Sequence, residues 1–246
     1  MGAIPWRFKS SLGHFYDLCQ IFLGVKFLYE KLLEAGLESA EIVSVGTGKT
    51  VTKLLQYALQ DNDFKKKKFV ATSLDTLNLL ASSGLTVLSS CSHDIDFAFD
   101  GADAIDVKNK QILKGLGGAF LLEKVMFQKS VIKVIVAQKE KFVYSFDNLA
   151  IPFEVVPEQV NYFLSLKLPF VSKKIARHCA NGKFGLVITE KGNNIVDVYF
   201  ENFRLESVKQ ILTIPGVLET GLFFEFSCKV LQFDEQEQAV QAFDFC

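Results

Sequence analysis

The chain has 246 residues, enough for one large domain or two small ones with a substantial core. Hydrophobic residues make up 49%, which excludes a disordered chain, and a formal net charge of −1 gives no bulk attraction to nucleic acid or an anionic membrane. Five cysteines, odd in number, widely spaced and without a CxxC pair, argue for a reducing compartment and against a disulfide framework or a zinc site.

Residues 1–10 read as a loose leader. Helical periodicity sets in near Leu12 and runs through Phe22, Phe27, Leu28, Leu32 and Leu33 to Gly36, a C-cap. Asp17, Gln20, Lys26, Glu30 and Lys31 interrupt this stretch, so it lacks the run of about 18 apolar residues that a membrane span needs. No signal-peptide pattern is visible, and a cytoplasmic protein is expected. His14, His93 and His178 are too scattered for a metal cluster.

Residues 42–45 form a short buried strand, followed by GTGKT at 46–50 and a helical pattern through Val51, Leu54, Leu55 and Leu59. Strand, glycine turn and helix aim backbone N–H groups at an anion. The turn is no P-loop, because Val43 stands where the first glycine is required, and no dinucleotide fingerprint, because Val51 stands where the third is required. What remains is a compact loop for one phosphate or carboxylate, or a plain strand-to-helix turn. Lys65 to Lys68 read as a solvated turn before a strand at 69–73. A helix at 74–83, closed by Gly84, and the start of a strand at 85–88 complete this unit.

Residues 96–124, DFAFDGADAIDVKNKQILKGLGGAFLLEK, organise the rest. The apolar run Ile95, Phe97, Ala98, Phe99 is a buried strand that stops at Asp100 and Gly101. A carboxylate-rich turn (Asp100, Asp103, Asp106), a second short strand, the loop Lys114, Gly115, Leu116, Gly117, Gly118, and a helix carrying Glu123 in its first turn follow. In an open α/β sheet the loops at the carboxyl ends of the strands form the ligand crevice. Acids and a lysine around such a loop suit proton transfer on a polar substrate.

Residues 131–137 alternate as a strand, with Lys141 just beyond. The rhythm then changes. A strand at 151–157, a helix at 158–164, a hairpin of strands 185–189 and 194–199, and a helix at 201–212 suggest a small α+β unit. The expected fold is α/β: a doubly wound, mostly parallel Rossmann-like sheet with a second, smaller, ferredoxin-like α+β domain. Residues 1–145, completed by 222–246, form the first domain, and residues 146–221 the second. The 24 phenylalanines either fill the core or cover an interface.

DGADAID followed by KGLGGAFLLEK resembles the signature of the A-type ribose-5-phosphate isomerases, usually DGADE and then KGGGGALxREK, with the same nine-residue step from Lys114 to Glu123. GTGKT resembles that family's GTGST, and IPGVLETGLF at 214–223 its IPGVxxxGLF, so the likeness covers most of residues 40–225. It implies an aldose–ketose isomerase that interconverts ribose 5-phosphate and ribulose 5-phosphate through an enediol, in the non-oxidative pentose phosphate pathway. No cofactor and no metal are expected. The implied base is Glu123, with Lys114 donating to the oxyanion and Asp100 and Asp103 binding sugar hydroxyls. Gly46, Thr47, Gly48, Lys49, Thr50, Gly101, Ala102, Gly115, Gly117 and Lys141 would hold the substrate, with Lys26 as a further cation. The implied assembly is a homodimer or homotetramer, with no nucleic acid or membrane partner.

Three departures bear on affinity and rate: Ala104 for a glutamate, Leu116 for a glycine and Gln138 for an aspartate. Lys49 replaces a serine, adding a cation near the phosphate or pointing to solvent. The competing readings are a sugar-phosphate sensor without turnover, and a deaminase, lactonase or CoA transferase on the same fold.

Overall fold

The computed structural model describes residues 24–89, 94–180, 184–234 and 239–245. The expected leader, the first half of the N-terminal helix, His14, His93, Cys19, Cys91 and Cys246 lie outside them. Helix α1 (24–32) turns through Leu33–Leu37 into β1 (Ile42–Val45). Helices α2 (Lys49–Ala58) and α3 (Asn62–Lys65) lead to β2 (Lys68–Ala71), and α4 (Leu74–Ser82) leads to β3 (Thr86–Val87). The central stretch supplies β4 (Ile95–Gly101), β5 (Ala104–Asp106), β6 (Gln111–Leu113), α5 (Phe120–Lys129) and β7 (Ser130–Gln138). Then come β8 (Ile151–Val155), α6 (Val160–Ser165), β9 (Val171–Ala176), β10 (Asn194–Phe200) and α7 (Leu205–Leu212). The chain closes with β11 (Val217–Thr220), β12 (Leu222–Phe223), β13 (Cys228–Asp234) and β14 (Ala239–Phe245).

The described residues form three sheets. The largest has seven strands in the order β14-β13-β7-β4-β1-β2-β3, parallel throughout except for the β13–β14 pair. Its central strand, β4, is almost wholly buried, as a strand covered on both faces must be. Val51, Leu54, Leu55 and Ala58 place one face of α2 in the core, at the three- and four-residue steps of a helix. The chain leaves β1 outward to β2 and β3, then returns to β4 on the other side of β1. That reversal puts the topological switch point, where open α/β sheets bind ligands, between the ends of β1 and β4.

A four-stranded antiparallel sheet, β11-β8-β10-β9, and a three-stranded one, β12-β6-β5, complete the fold. This is the expected α/β class, with two local differences. Among the described residues, the expected strand at 185–189 makes the isolated bridges His178–Leu186 and Ile188–Asn194 and no continuous ladder. β10 pairs with β8 on one side and with β9 on the other, and the lysine-rich β9 shows no apolar alternation because it is a half-exposed edge. The expected single short strand after Asp106 is a hairpin, β5–β6, and Asp106 closes its turn by accepting from Asn109 N at 3.0 Å and Asn109 Nδ2 at 2.7 Å.

Many of the described phenylalanines are core, while Phe27, Phe170 and Phe184 are exposed. Phe64, Phe69, Phe97 and Phe99 fill one cluster, Phe146, Phe153, Phe163 and Phe200 a second, and Phe120, Phe127 and Phe223 a third. No described helix is long and apolar enough to cross a membrane.

Candidate active site

Gly46 follows β1 and Asp100 stands near the end of β4, side by side at the switch point. A Cβ on Gly46 would lie 1.9 Å from Asp100 Cγ, so only glycine lets the carboxylate in. Asp100 Oδ1 accepts from Gly101 N at 2.6 Å and Thr47 N at 3.2 Å. Lys114, the residue after β6, extends its ammonium to 3.1 Å from Asp100 Oδ2 and 3.3 Å from Glu123 Oε2. It also donates to Gly101 O at 2.6 Å. Asp100, Lys114 and Glu123 are 0%, 4% and 4% exposed.

Burial, then the negative charge of Asp100, pushes the Glu123 carboxyl up to about 8, against the pull of Lys114. The first helical turn, through the helix dipole, favours ionised Glu123; desolvation outweighs it. Burial raises Asp100 as well, opposed by Lys114 and by two backbone N–H donors. For Lys114, burial acts downward, but Asp100, Glu123 and Asp103 together hold the ammonium above its usual range. The triad is therefore a permanent cation, a carboxylate with the nearer ammonium and two amide donors, and a second carboxyl that holds its proton near neutral pH.

Lys114 and Glu123 line an open cleft of about 400 Å³. Gly101, Ala102, Asp103, Gly115 and Gly117 line it from the central stretch, with Leu116, 69% exposed, at the mouth. Thr47, Gly48, Lys49 and Thr50 line it from the loop after β1, and Lys141 with Gln138 from the end of β7. Every site residue expected from the sequence thus lines the cleft or, as Gly46 and Asp100, stands behind its wall. Lys26 is the exception: it pairs with Glu30 at 3.8 Å on α1 and is not among the lining residues. Ala104 packs into an apolar cluster, away from the cleft.

The sequence did not reveal what supports these groups. Thr47 Oγ1 donates to Ser73 Oγ at 2.9 Å and lies 3.2 and 3.3 Å from the hydroxyls of Thr72 and Thr76, while Thr76 Oγ1 donates to Gly46 O at 2.8 Å. This hydroxyl cluster underpins the loop from below. Lys114 N donates to Gly221 O at 2.8 Å, and a Cβ on Gly221 would meet Lys114 O at 2.1 Å. Lys124 in turn donates to Thr220 O at 2.9 Å and Leu222 O at 3.0 Å, fixing the strand on either side of Gly221. The GLF of residues 221–223 was the available signal for that support.

Residues 68–237 match the ribose 5-phosphate isomerase A (phosphoriboisomerase A) family. The ribose-5-phosphate isomerase A of Borreliella afzelii is 30% identical over 226 residues, covering 89% of this chain and 97% of that one. The chain belongs to the ribose 5-phosphate isomerase A family. As a member it is an aldose–ketose isomerase acting on a sugar phosphate. The Methanococcus vannielii ribose-5-phosphate isomerase A is 35% identical over 189 residues, 74% of this chain and 78% of that one. Among solved structures, the isomerase of Neisseria gonorrhoeae superposes with a TM-score of 0.77 at 27% identity, covering 92% of this chain and 98% of that one. A D-ribose-5-phosphate isomerase in complex with phospho-erythronic acid superposes at 0.78, with 26% identity and the same coverage.

Proposed function

We propose that the chain interconverts ribose 5-phosphate and ribulose 5-phosphate through an enediol, with Glu123 as the base that carries the proton between C2 and C1. The observation that carries this is the Asp100–Lys114–Glu123 triad, buried at the wall of one cleft. In the open-chain aldose, ionised Glu123 takes the C2 proton. The C–H pair becomes the C1–C2 double bond, and the carbonyl π pair moves to O1, which is protonated. The enediol then collapses the other way: O2–H gives up its proton, the C2–O2 double bond forms, and the C1–C2 pair recovers a proton from Glu123 at C1. The reaction is redox-neutral, and charge appears only on O1 and O2. Lys114 faces that charge as a preorganised cation, itself almost wholly buried in the wall of the cleft. Asp103, at the accessible end of the triad, is assigned to the sugar hydroxyls.

The phosphate is assigned to the loop at 46–50. Gly48 caps α2 without a side-chain acceptor, so the first amides of that helix face the cleft end. Lys49 makes no ion pair or hydrogen bond among the described residues and lines the same cleft as Lys141. Replacing it by the family's serine, Lys49→Ser, should raise KM for ribose 5-phosphate roughly three- to tenfold with kcat nearly unchanged, as loss of uniform binding does. An unchanged KM would place this lysine in solvent.

The pH dependence tests the base. Below about 8, Glu123 holds a proton and cannot accept one from carbon; above it, the carboxylate is free. Ribulose 5-phosphate formation should therefore show kcat/KM rising about tenfold per pH unit at low pH and levelling above the Glu123 value. A flat profile across that limb removes Glu123 as the titrating base.

The same reading includes a first domain of residues 1–145 with 222–246 and a second of 146–221, for which the separate seven- and four-stranded sheets speak. It includes cytoplasmic location and the non-oxidative pentose phosphate pathway. It also includes a homodimer or homotetramer, for which the exposed Tyr162, Phe170 and Ile175 on the smaller unit offer apolar surface; light scattering distinguishes the two.

A further inference from the structure

Arg177, immediately after β9, bridges the four-stranded sheet and the glycine loop. Its guanidinium is forked onto Asp197 of β10, Nε donating to Oδ2 at 2.8 Å and Nη2 to Oδ1. The remaining nitrogen, Nη1, donates to Gly115 O at 2.6 Å and to Leu116 O at 3.3 Å. Gly115 O belongs to the peptide unit whose other end is Leu116 N, and Leu116 N donates to Asp103 Oδ2 at 2.9 Å. One peptide plane is thus held at its oxygen by a cation and at its N–H by Asp103. Charge on the oxygen side polarises the peptide and strengthens its N–H donation, as hydrogen bonds in chains do.

We propose that Arg177 is a positioning residue for the isomerase reaction, holding Asp103 at the substrate through the Gly115–Leu116 peptide. The inference rests on the role assigned above to Asp103. A planar, five-donor guanidinium is needed, because one group must serve two carboxylate oxygens and two carbonyls in fixed directions. Asp197 sets the plane of the fork, and the fork sets the peptide.

A double-mutant cycle decides it. Arg177→Ala should lower kcat/KM on the order of tenfold to a hundredfold, the range expected when a substrate-contacting group is displaced by about an ångström. Arg177→Lys, with one point charge in place of a fork, should recover only part of that. In an Asp103→Ala background the Arg177 substitution should cost less than about twofold further, since two groups acting through one another are not additive. A general structural role would lower the folded fraction in both backgrounds alike and produce no such coupling. Additive losses, or an Arg177→Ala enzyme with full kcat/KM, overturn the inference. Full activity of Asp103→Ala alone overturns the Asp103 assignment and this inference together. If Arg177→Ala does not fold, Arg177→Lys takes its place in the cycle: loss of its effect in the Asp103→Ala background supports the inference, and additive losses overturn it.

Discussion

Glu123→Gln should abolish most turnover while leaving the site intact. Glutamine matches glutamate in shape and cannot accept a proton from carbon. General base catalysis contributes on the order of 10²–10⁴-fold, and that is the expected fall in kcat. Folding should be little affected, because Glu123 is already neutral below about 8, so the substitution removes no charge from the resting site at neutral pH. The ligand to use is phospho-erythronic acid, with which a structural relative has been solved. Its carboxylate is planar and anionic, resembling the enediolate at C1 and C2. Without the Glu123 carboxylate Lys114 keeps Asp100 Oδ2 and Gly101 O as partners, and the phosphate loop is untouched, so the variant should still bind this acid, within about threefold of the parent if the contact is uniform. Exchange of the C1 and C2 hydrogens with solvent should vanish along with turnover, and with it the pH limb near the Glu123 value. A variant that keeps kcat within about tenfold of the parent would remove the glutamate from this role.

Glu123 was legible as a candidate base because the family resemblance pointed to it on a local motif. Lys114, the glycines and Glu123 lie on one continuous loop and the helix it feeds, so their spacing allowed them to converge, and the resemblance supplied their implied roles. Asp100 was legible because an apolar strand ended on a charge. What was not legible is what arrives from elsewhere. Arg177 reaches Gly115 across 62 positions, Gly221 meets Lys114 from the returning strand, and Glu190 accepts from Leu74 N across 116 positions. No local period encodes such contacts. Two edge strands, β9 and β14, went unread for a related reason: β9 is exposed or half-buried throughout and β14 is so up to Phe245, so the apolar signal that marked β4 and β7 is diluted. Leu116 shows the converse. Its departure from the family's glycine was plain in the sequence, but its place at the mouth of the cleft needed the fold. Protonation was also out of reach, because the first-turn position of Glu123 argues for ionisation and only its burial argues the other way.

Lys114→Met should be the second severe substitution, and it separates catalysis from electrostatic support. Methionine fills a similar volume without charge. Losing one preorganised oxyanion donor costs roughly 10²–10³ in kcat, and the loss here should be at least of that order. Stability should fall too, because two buried carboxyls lose their shared cation; removing one partner of a buried pair costs roughly 3–5 kcal/mol. The pH dependence of that cost follows from linkage. Asp100 and Glu123 already have folded values raised by burial; without the ammonium they rise further, and a carboxyl raised in this way costs the fold stability progressively as pH rises from its unfolded toward its folded value. In the parent the Lys114 ammonium is held above its usual range by Asp100, Glu123 and Asp103 against its own burial, so its stabilisation needs those carboxyls ionised and fades as they take up protons in acid. The gap in Tm between parent and variant should therefore be small in acid, where both carboxyls are neutral, and widen steadily toward pH 8. A gap that is constant with pH would mean that Lys114 acts by packing alone. A Lys114→Met enzyme with undiminished kcat would mean that the charge on O1 is met by some other group in the cleft.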